Sequence, residues 1–435
     1  MQMEERIYKG YWWLPSESEE QIAGTLTIDS RGNVKLELYG CFGPADDLVI
    51  FNRKDDPAIY GRCYTPDSKM TDVSLIECRS SLTLNFNDNT FPLTRYTCRY
   101  ALIGIHCQKM EDAMFFKAHV DFKELAFWCP PKNITFKMRD DSISLSIETK
   151  VEEKTPLASV VLDGGVRIQL KEGATYKPDY PQLYIDQSTY VEILKDDMNA
   201  LQALSLSRMF ERFISVATLA PVEHGEIMLY SKKKCQELES GKVIYHPIEL
   251  VTFLYLDDVH ESYKQRDFLF QFADVAQELG QMLGKLYTDK SIAQIWSNLV
   301  DSLEKKRVFT SNDFLVVIQA IDGFAIRYRK EQKLLPELHA LREEFKDIKK
   351  LKLTDEDLEA ANGSRNYYSH ILKLEKKEDK HALEGLKLFD LTKKLRVLLI
   401  CCVLNFMGMD NVKINQLLNK SNSDFLKIKC QGTGS

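Results

Sequence analysis

Near Met198 the spacing of apolar residues along this 435-residue chain changes from two to about 3.6. That switch restricts the fold to β structure followed by helices. In "GTLTIDSRGNVKLELYG" (24–40), apolar and polar residues alternate on both sides of Ser30-Arg31-Gly32-Asn33, a hairpin signal. The runs "SLTLNFND", "AMFFKAHVDF", "NITFKMRDDSISLSIETK" and "SVVLDGGVRIQL" repeat the alternation, and turn residues recur every ~8–12 positions. An antiparallel β-sandwich or barrel-like domain is the expected result. Leu201, Leu204, Met209, Phe210, Phe213 and Ile214 then mark an embedded helix that ends before Pro221. "GEIMLYSKK" and "IELVTFLYLDDV" return to strand character and complete the β domain. From Gln265 onward the pattern is helical, interrupted only by Pro336, which predicts an all-α bundle. The expected architecture is an α+β multidomain chain with a β-rich domain over 1–264 and a helical domain over 265–430. Residues 431–435 read as an appended tail.

Apolar residues make up 44% of the chain and charged residues 28%, which excludes a disordered protein. No basic stretch followed by an apolar one opens the sequence, so no secretory signal is read. The longest apolar run, "VLLICCVL" (397–404), falls far short of the ~20 residues of a membrane span. It predicts a buried helix, and no membrane partner is expected. The ten cysteines form no Cys-x-x-Cys pair and complete no zinc pattern with histidine. Reduced thiols and a cytoplasmic location are the expectation. No glycine-rich phosphate loop is present, so no cofactor and no nucleotide-driven step is expected. The net charge of −6 argues against a general nucleic-acid coat. It is unevenly spread, however, with 27 basic and 24 acidic side chains over 267–430 and 31 against 40 before them. A polyanion site therefore belongs in the helical part.

One stretch there stands out: "GSRNYYSHILKL" (363–374). Thr354 with Asp355-Glu356-Asp357 reads as a helix start. Asn362-Gly363 reads as its end, and Ser364 as the cap of a new helix. Arg365 and Asn366 would then occupy a first turn, where free N–H groups favour an anion. Asn366 and His370 are four apart and share a face. RNA transesterification needs a proton carrier near neutral pH, a group that holds phosphate and a third that orients them. Arg365, Asn366 and His370 supply those types, and no metal ligand is required.

Arg-x4-His with a polar residue after the arginine, late in a helical domain, resembles the HEPN ribonuclease motif. "YKGYWWLP…GTLTID…G.V.LEL.G" followed by a long β region resembles the ApeA-type anti-phage defence proteins. The resemblance implies metal-independent RNA cleavage at a composite site built by two HEPN domains, and growth arrest of infected cells. Carried over, Arg365 contacts phosphate, Asn366 orients and His370 is the acid or base. The implied partners are RNA in a single-stranded loop such as that of a tRNA, a second copy or larger even-numbered assembly, and a phage-derived trigger. HEPN toxins silenced by tyrosine nucleotidylation carry tyrosine two residues after the histidine. Leu372 stands there in this chain, so that control is not expected.

Tyr367 and Tyr368 can stack a base, although packing claims at least one of them. Asp322, in "VIQAIDGFAIRYR", is a further site candidate, because an acid on an earlier HEPN helix can approach the arginine–histidine pair. Glu148 and Lys150 in "DDSISLSIETK" mimic a metal-dependent nuclease core but equally suit a solvent-facing strand. His106, His119, His246 and His260 have no partners at useful spacing. Trp12 and Trp13 alternate on a strand, so one belongs to the core and the other is available for binding. Two other function classes fit: a non-catalytic HEPN-like RNA-binding or dimerisation protein, and a β-sandwich binder with a helical oligomerisation tail.

Overall fold

A computed structural model describes residues 5–42, 58–65, 67–83, 93–131, 155–180, 182–222, 224–253, 264–303, 309–330, 333–370 and 381–427. The strand assigned to 133–150, with Glu148 and Lys150, lies outside these residues, as do His260 and Leu372.

The β part begins with β1 (Arg6–Trp13), β2 (Ile22–Ile28), β3 (Val34–Leu38), β4 (Ile59–Tyr64), β5 (Met70–Thr83) and β6 (Leu93–Ile103). These six strands pair antiparallel in the order β3-β2-β1-β4-β5-β6, and β3 also pairs with β6, closing a barrel. The β2–β3 turn falls at the hairpin signal. The Asp29 carboxylate accepts the N–H groups of Arg31 and Asn33, and Gly32 takes φ of 71°. A Cβ at Gly32 would sit 2.2 Å from the Thr252 carbonyl oxygen, so conformation and space both require glycine.

The barrel has its own core, built around Trp12, Leu26, Leu36, Val73 and Leu75. Gly61 lies against the Trp12 ring, where a Cβ would come within 2.3 Å. Trp13 is buried as well, contrary to the expectation that one tryptophan of the pair is free for binding. Its ring meets His106 edge-on at 5.4 Å, and His106 in turn stacks on Tyr60 at 4.6 Å. The exposed aromatic of this stretch is Tyr11.

The sheet continues from β6 into β12 (Val243–Thr252), β11 (Ile227–Glu237), β7 (Met114–Asp121), β10 (Gln182–Asn199), β9 (Arg167–Asp179) and β8 (Ala158–Val161), all antiparallel. A bidentate Arg6–Glu249 pair at 2.7 Å ties β1 to β12. A short helix, α1 (Leu125–Trp128), follows β7, and α2 (Ala200–Thr218) follows β10. A reciprocal cap of Asn199 and Gln202 starts α2, and Leu219 in the left-handed region ends it just before Pro221.

The helical part comprises α3 (Phe272–Val275), α4 (Leu279–Thr288), α5 (Lys290–Asp301), α6 (Ser311–Phe324), α7 (Leu334–Glu344), α8 (Asp355–His370), α9 (Gly385–Phe406) and α10 (Asn411–Lys420). Pro336 sits in the first turn of α7, where a missing N–H costs nothing. The apolar run 397–404 is buried inside α9. No described helix is long and apolar enough to cross a membrane. The fold is thus α+β, a β-rich region with a closed six-strand barrel followed by a helical region.

One apolar core runs from the open half of the sheet through α2 into the helices. On one side α2 packs on β7 and β10, and on the other on α4 and α5. The Trp296 indole donates to the Arg212 carbonyl at 2.8 Å, and the Tyr287 hydroxyl to that of Leu206 at 2.7 Å. The Phe213 and Trp296 rings stack at 6.0 Å.

His224, 5% exposed before β11, has an imidazole that burial pushes down to about 4. It is neutral in the fold, whereas the unfolded chain protonates it near ~6.5. Between pH 6.5 and 4 the unfolded state binds the extra proton. Stability should therefore fall through that window, by on the order of 3 kcal/mol, and level off below it. Urea unfolding at pH 7 and 4.5 should show a smaller loss for His224→Gln than for the unaltered protein. Equal losses would contradict this assignment.

Candidate active site in the helical domain

The stretch that raised the question of function lies on α8. Its start is as expected: Asp357 accepts the Thr354 N–H at 2.8 Å, and the Thr354 hydroxyl accepts the Asp357 N–H at 3.2 Å. Lys394 of α9 holds Asp357 at 2.7 Å, and Arg342 of α7 holds Asp355 at 2.8 Å. The first turn is thereby fixed to two neighbouring helices.

The expected break at Asn362-Gly363 does not occur, and α8 runs unbroken from Asp355 to His370. Ser364 is not a cap. It is fully buried, and its hydroxyl accepts the Leu383 N–H at 2.9 Å. The Tyr368 hydroxyl donates to the Leu383 carbonyl at 3.0 Å, so the segment before α9 is clamped along the back of α8. These bonds and the burial of Ala361 outweigh the local turn preference of Asn-Gly. Arg365 and Asn366 consequently lie in the fourth turn, where backbone N–H groups are spent within the helix. Side chains, rather than a helix N-terminus, have to provide any anion contact.

The structure joins three of the candidate residues. One terminal nitrogen of Arg365 donates to Asp322 of α6 at 3.0 Å, and the other to the side-chain amide oxygen Oδ1 of Asn366 at 3.1 Å. The Arg365 side chain is one-third exposed and that of Asp322 17%. A guanidinium has five N–H donors in a fixed fork, so bonds remain available to a phosphate while Asp322 and Asn366 hold the plane. Tyr368 packs inward, edge-on to Phe314, and burial raises its hydroxyl above the ordinary range. Tyr367 is half-buried beside it, the rings 4.9 Å apart. His370 contributes the last backbone position of α8, one turn after Asn366. Its side chain lies outside what the structure describes.

Asp322 stands in the last turn of α6, which continues as a π turn over Ala325–Arg329 and ends at Lys330 in the left-handed region. Such turns recur beside functional sites. No cluster of metal-ligating side chains occurs among the described residues. Sequence reading missed a groove that opens next to Asp322 between α5 and α6. Its signal was present in Lys290, Gln294 and Asn298, and in Gln319, Gly323 and Arg327, two stripes each spaced by four.

A closed barrel opening into an antiparallel sheet, joined to a helical bundle with a pinned Arg-x4-His helix, defines a HEPN-containing two-part protein. The family model for ApeA N-terminal domain 1 matches residues 7–286, and that for Apea-like HEPN matches 321–413. The chain belongs to the ApeA family and is a HEPN-containing anti-phage defence protein. HEPN domains are typically ribonucleases that bind RNA and usually pair. Comparison with curated proteins and with solved structures finds no match.

Proposed function

We propose that this chain is a metal-independent RNA endonuclease that arrests infected cells, with Arg365, Asn366 and His370 as its working residues. The observation that carries the reading is Arg365, held by Asp322 and Asn366 on the helix that ends in His370. In the reaction a 2′-hydroxyl attacks the adjacent phosphorus. The 2′-O–P bond forms, the P–O5′ bond breaks, and charge develops on the phosphoryl oxygens. Arg365 stabilises that charge through its remaining donors. His370 moves a proton, off the 2′-oxygen as base or onto the leaving 5′-oxygen as acid. The products are a 2′,3′-cyclic phosphate and a 5′-hydroxyl.

One motif histidine per chain, His370, covers one of the two proton transfers, so a second copy completes the set across a two-fold axis. Light scattering of the purified protein should give a dimer or a larger even-numbered assembly. A monomer that cleaves RNA at full rate would contradict the composite site. The β part, with no catalytic constellation among its described residues, is assigned to sensing an infection-linked ligand. The full chain, incubated with total cellular RNA that includes tRNA, should yield discrete fragments. RNA bound but left intact would favour the non-catalytic reading instead.

A further inference from the structure

The groove beside Asp322 has a volume of about 300 Å³. Lys290, Ser291, Gln294 and Asn298 line it from α5, and Gln319 and Gly323 from α6; Arg327 of the π turn closes one end. Among the described residues the lining holds two cations, three amides, one hydroxyl and the apolar Ile295 and Ala320, and no carboxylate. Lys290 takes the first position of α5, where the helix dipole favours an acid, so helix stability does not explain it. Among the described residues neither cation forms an ion pair. Arg327 donates instead to the Ser291 hydroxyl at 2.8 Å.

Gly323 adds a separate observation. Glycine inside a helix costs about 1 kcal/mol relative to alanine. A Cβ built at Gly323 meets nothing within 4 Å, so no neighbour among the described residues requires glycine there. It leaves this stretch of the α6 backbone open to approach from outside. Gly323 directly follows Asp322, which holds Arg365, so the groove and the candidate active site occupy adjoining faces of α6.

From this juxtaposition we infer that the α5–α6 groove is a substrate subsite that binds the RNA backbone next to the cleaved bond. The inference rests on the ribonuclease reading. Cations and amides without carboxylates suit phosphates and 2′-hydroxyls, and a bare helix backbone at Gly323 lets a strand approach. A second copy of this chain is the less favoured occupant, because a stable interface takes ~800 Å² from each partner and this groove supplies a small part of that.

The test measures binding of a 2′-O-methyl RNA oligonucleotide, which cannot be cleaved, to the full chain across a salt series. Gly323→Leu fills open space and should fold like the unaltered protein, while weakening binding at least tenfold. Lys290→Ala with Arg327→Ala should reduce the slope of log affinity against log salt by about 1.4, or ~0.7 for each single-strand phosphate that is no longer neutralised. The mass in solution should stay unchanged. Unchanged affinity and slope in these variants, with the unaltered protein binding well, would overturn the subsite alone. A drop in mass would assign the groove to the interface between copies. If the unaltered protein fails to bind RNA at all, the ribonuclease reading falls with the subsite.

Discussion

The His370→Ala and Arg365→Ala proteins are expected to lose RNA cleavage by at least ~10²-fold, the low end of what a positioned proton carrier contributes. Growth arrest should disappear with it. Their stabilities should differ in a way that separates chemistry from folding. Position 370 is the last of α8, so His370→Ala should unfold with nearly the unaltered midpoint. Arg365→Ala leaves Asp322, a largely buried carboxylate, without its guanidinium partner and should cost about 1 kcal/mol. Asp322→Asn in the Arg365→Ala background should restore that stability and leave activity absent. Arg365→Lys keeps the charge but loses the fork to Asp322 and Asn366, so it too should be severely impaired. A folded His370→Ala protein with full cleavage would remove His370 from the mechanism.

A fragment limited to residues 265–430 is expected not to fold, although the hydrophobic period puts the start of the helical domain there. Such a fragment lacks α2, which supplies Phe213 against Trp296 and accepts hydrogen bonds from Trp296 and Tyr287. It also lacks the Ala217 carbonyl that accepts the Leu269 N–H at 2.8 Å. Stripping an aromatic partner from a core costs about 3–5 kcal/mol, and a domain's whole stability is only ~5–15 kcal/mol. The fragment should show helical far-ultraviolet dichroism without a cooperative melt, and should bind a hydrophobic dye. In the full chain Phe213→Ala should lower the stability of both parts together. A fragment with a sharp melt and dimeric mass would show that the helical core closes without α2.

The hydrophobic period carried most of the architecture. The hairpin at Ser30–Asn33, the extent of α2 and the onset of helices all follow from local spacing and caps. Barrel closure was not legible, since the β3–β6 pairing joins residues about sixty apart and leaves no local signal. Nor was the second face of α2, because an apolar stripe does not say how many layers it packs between. Trp13 misled because alternation assigns faces, and at a barrel's end both faces can be covered. At the site, Arg365 and Asn366 stand out by residue type and spacing and Asp322 through the HEPN resemblance, and the fold joins the three. Their setting does not. Asn362-Gly363 has the composition of a helix end, yet Leu383 bonds Ser364 and Tyr368 from across the chain and carries the helix through. The groove was overlooked because polar residues at intervals of four ordinarily mark a solvated face.

The most direct test is the chemistry of the cut ends. RNA treated with the full chain in excess EDTA should be cleaved as fast as without it, and every new 3′ end should carry a 2′,3′-cyclic phosphate opposite a 5′-hydroxyl. Cleavage that stops in EDTA, or that leaves 5′-phosphates, would contradict transesterification by Arg365 and His370.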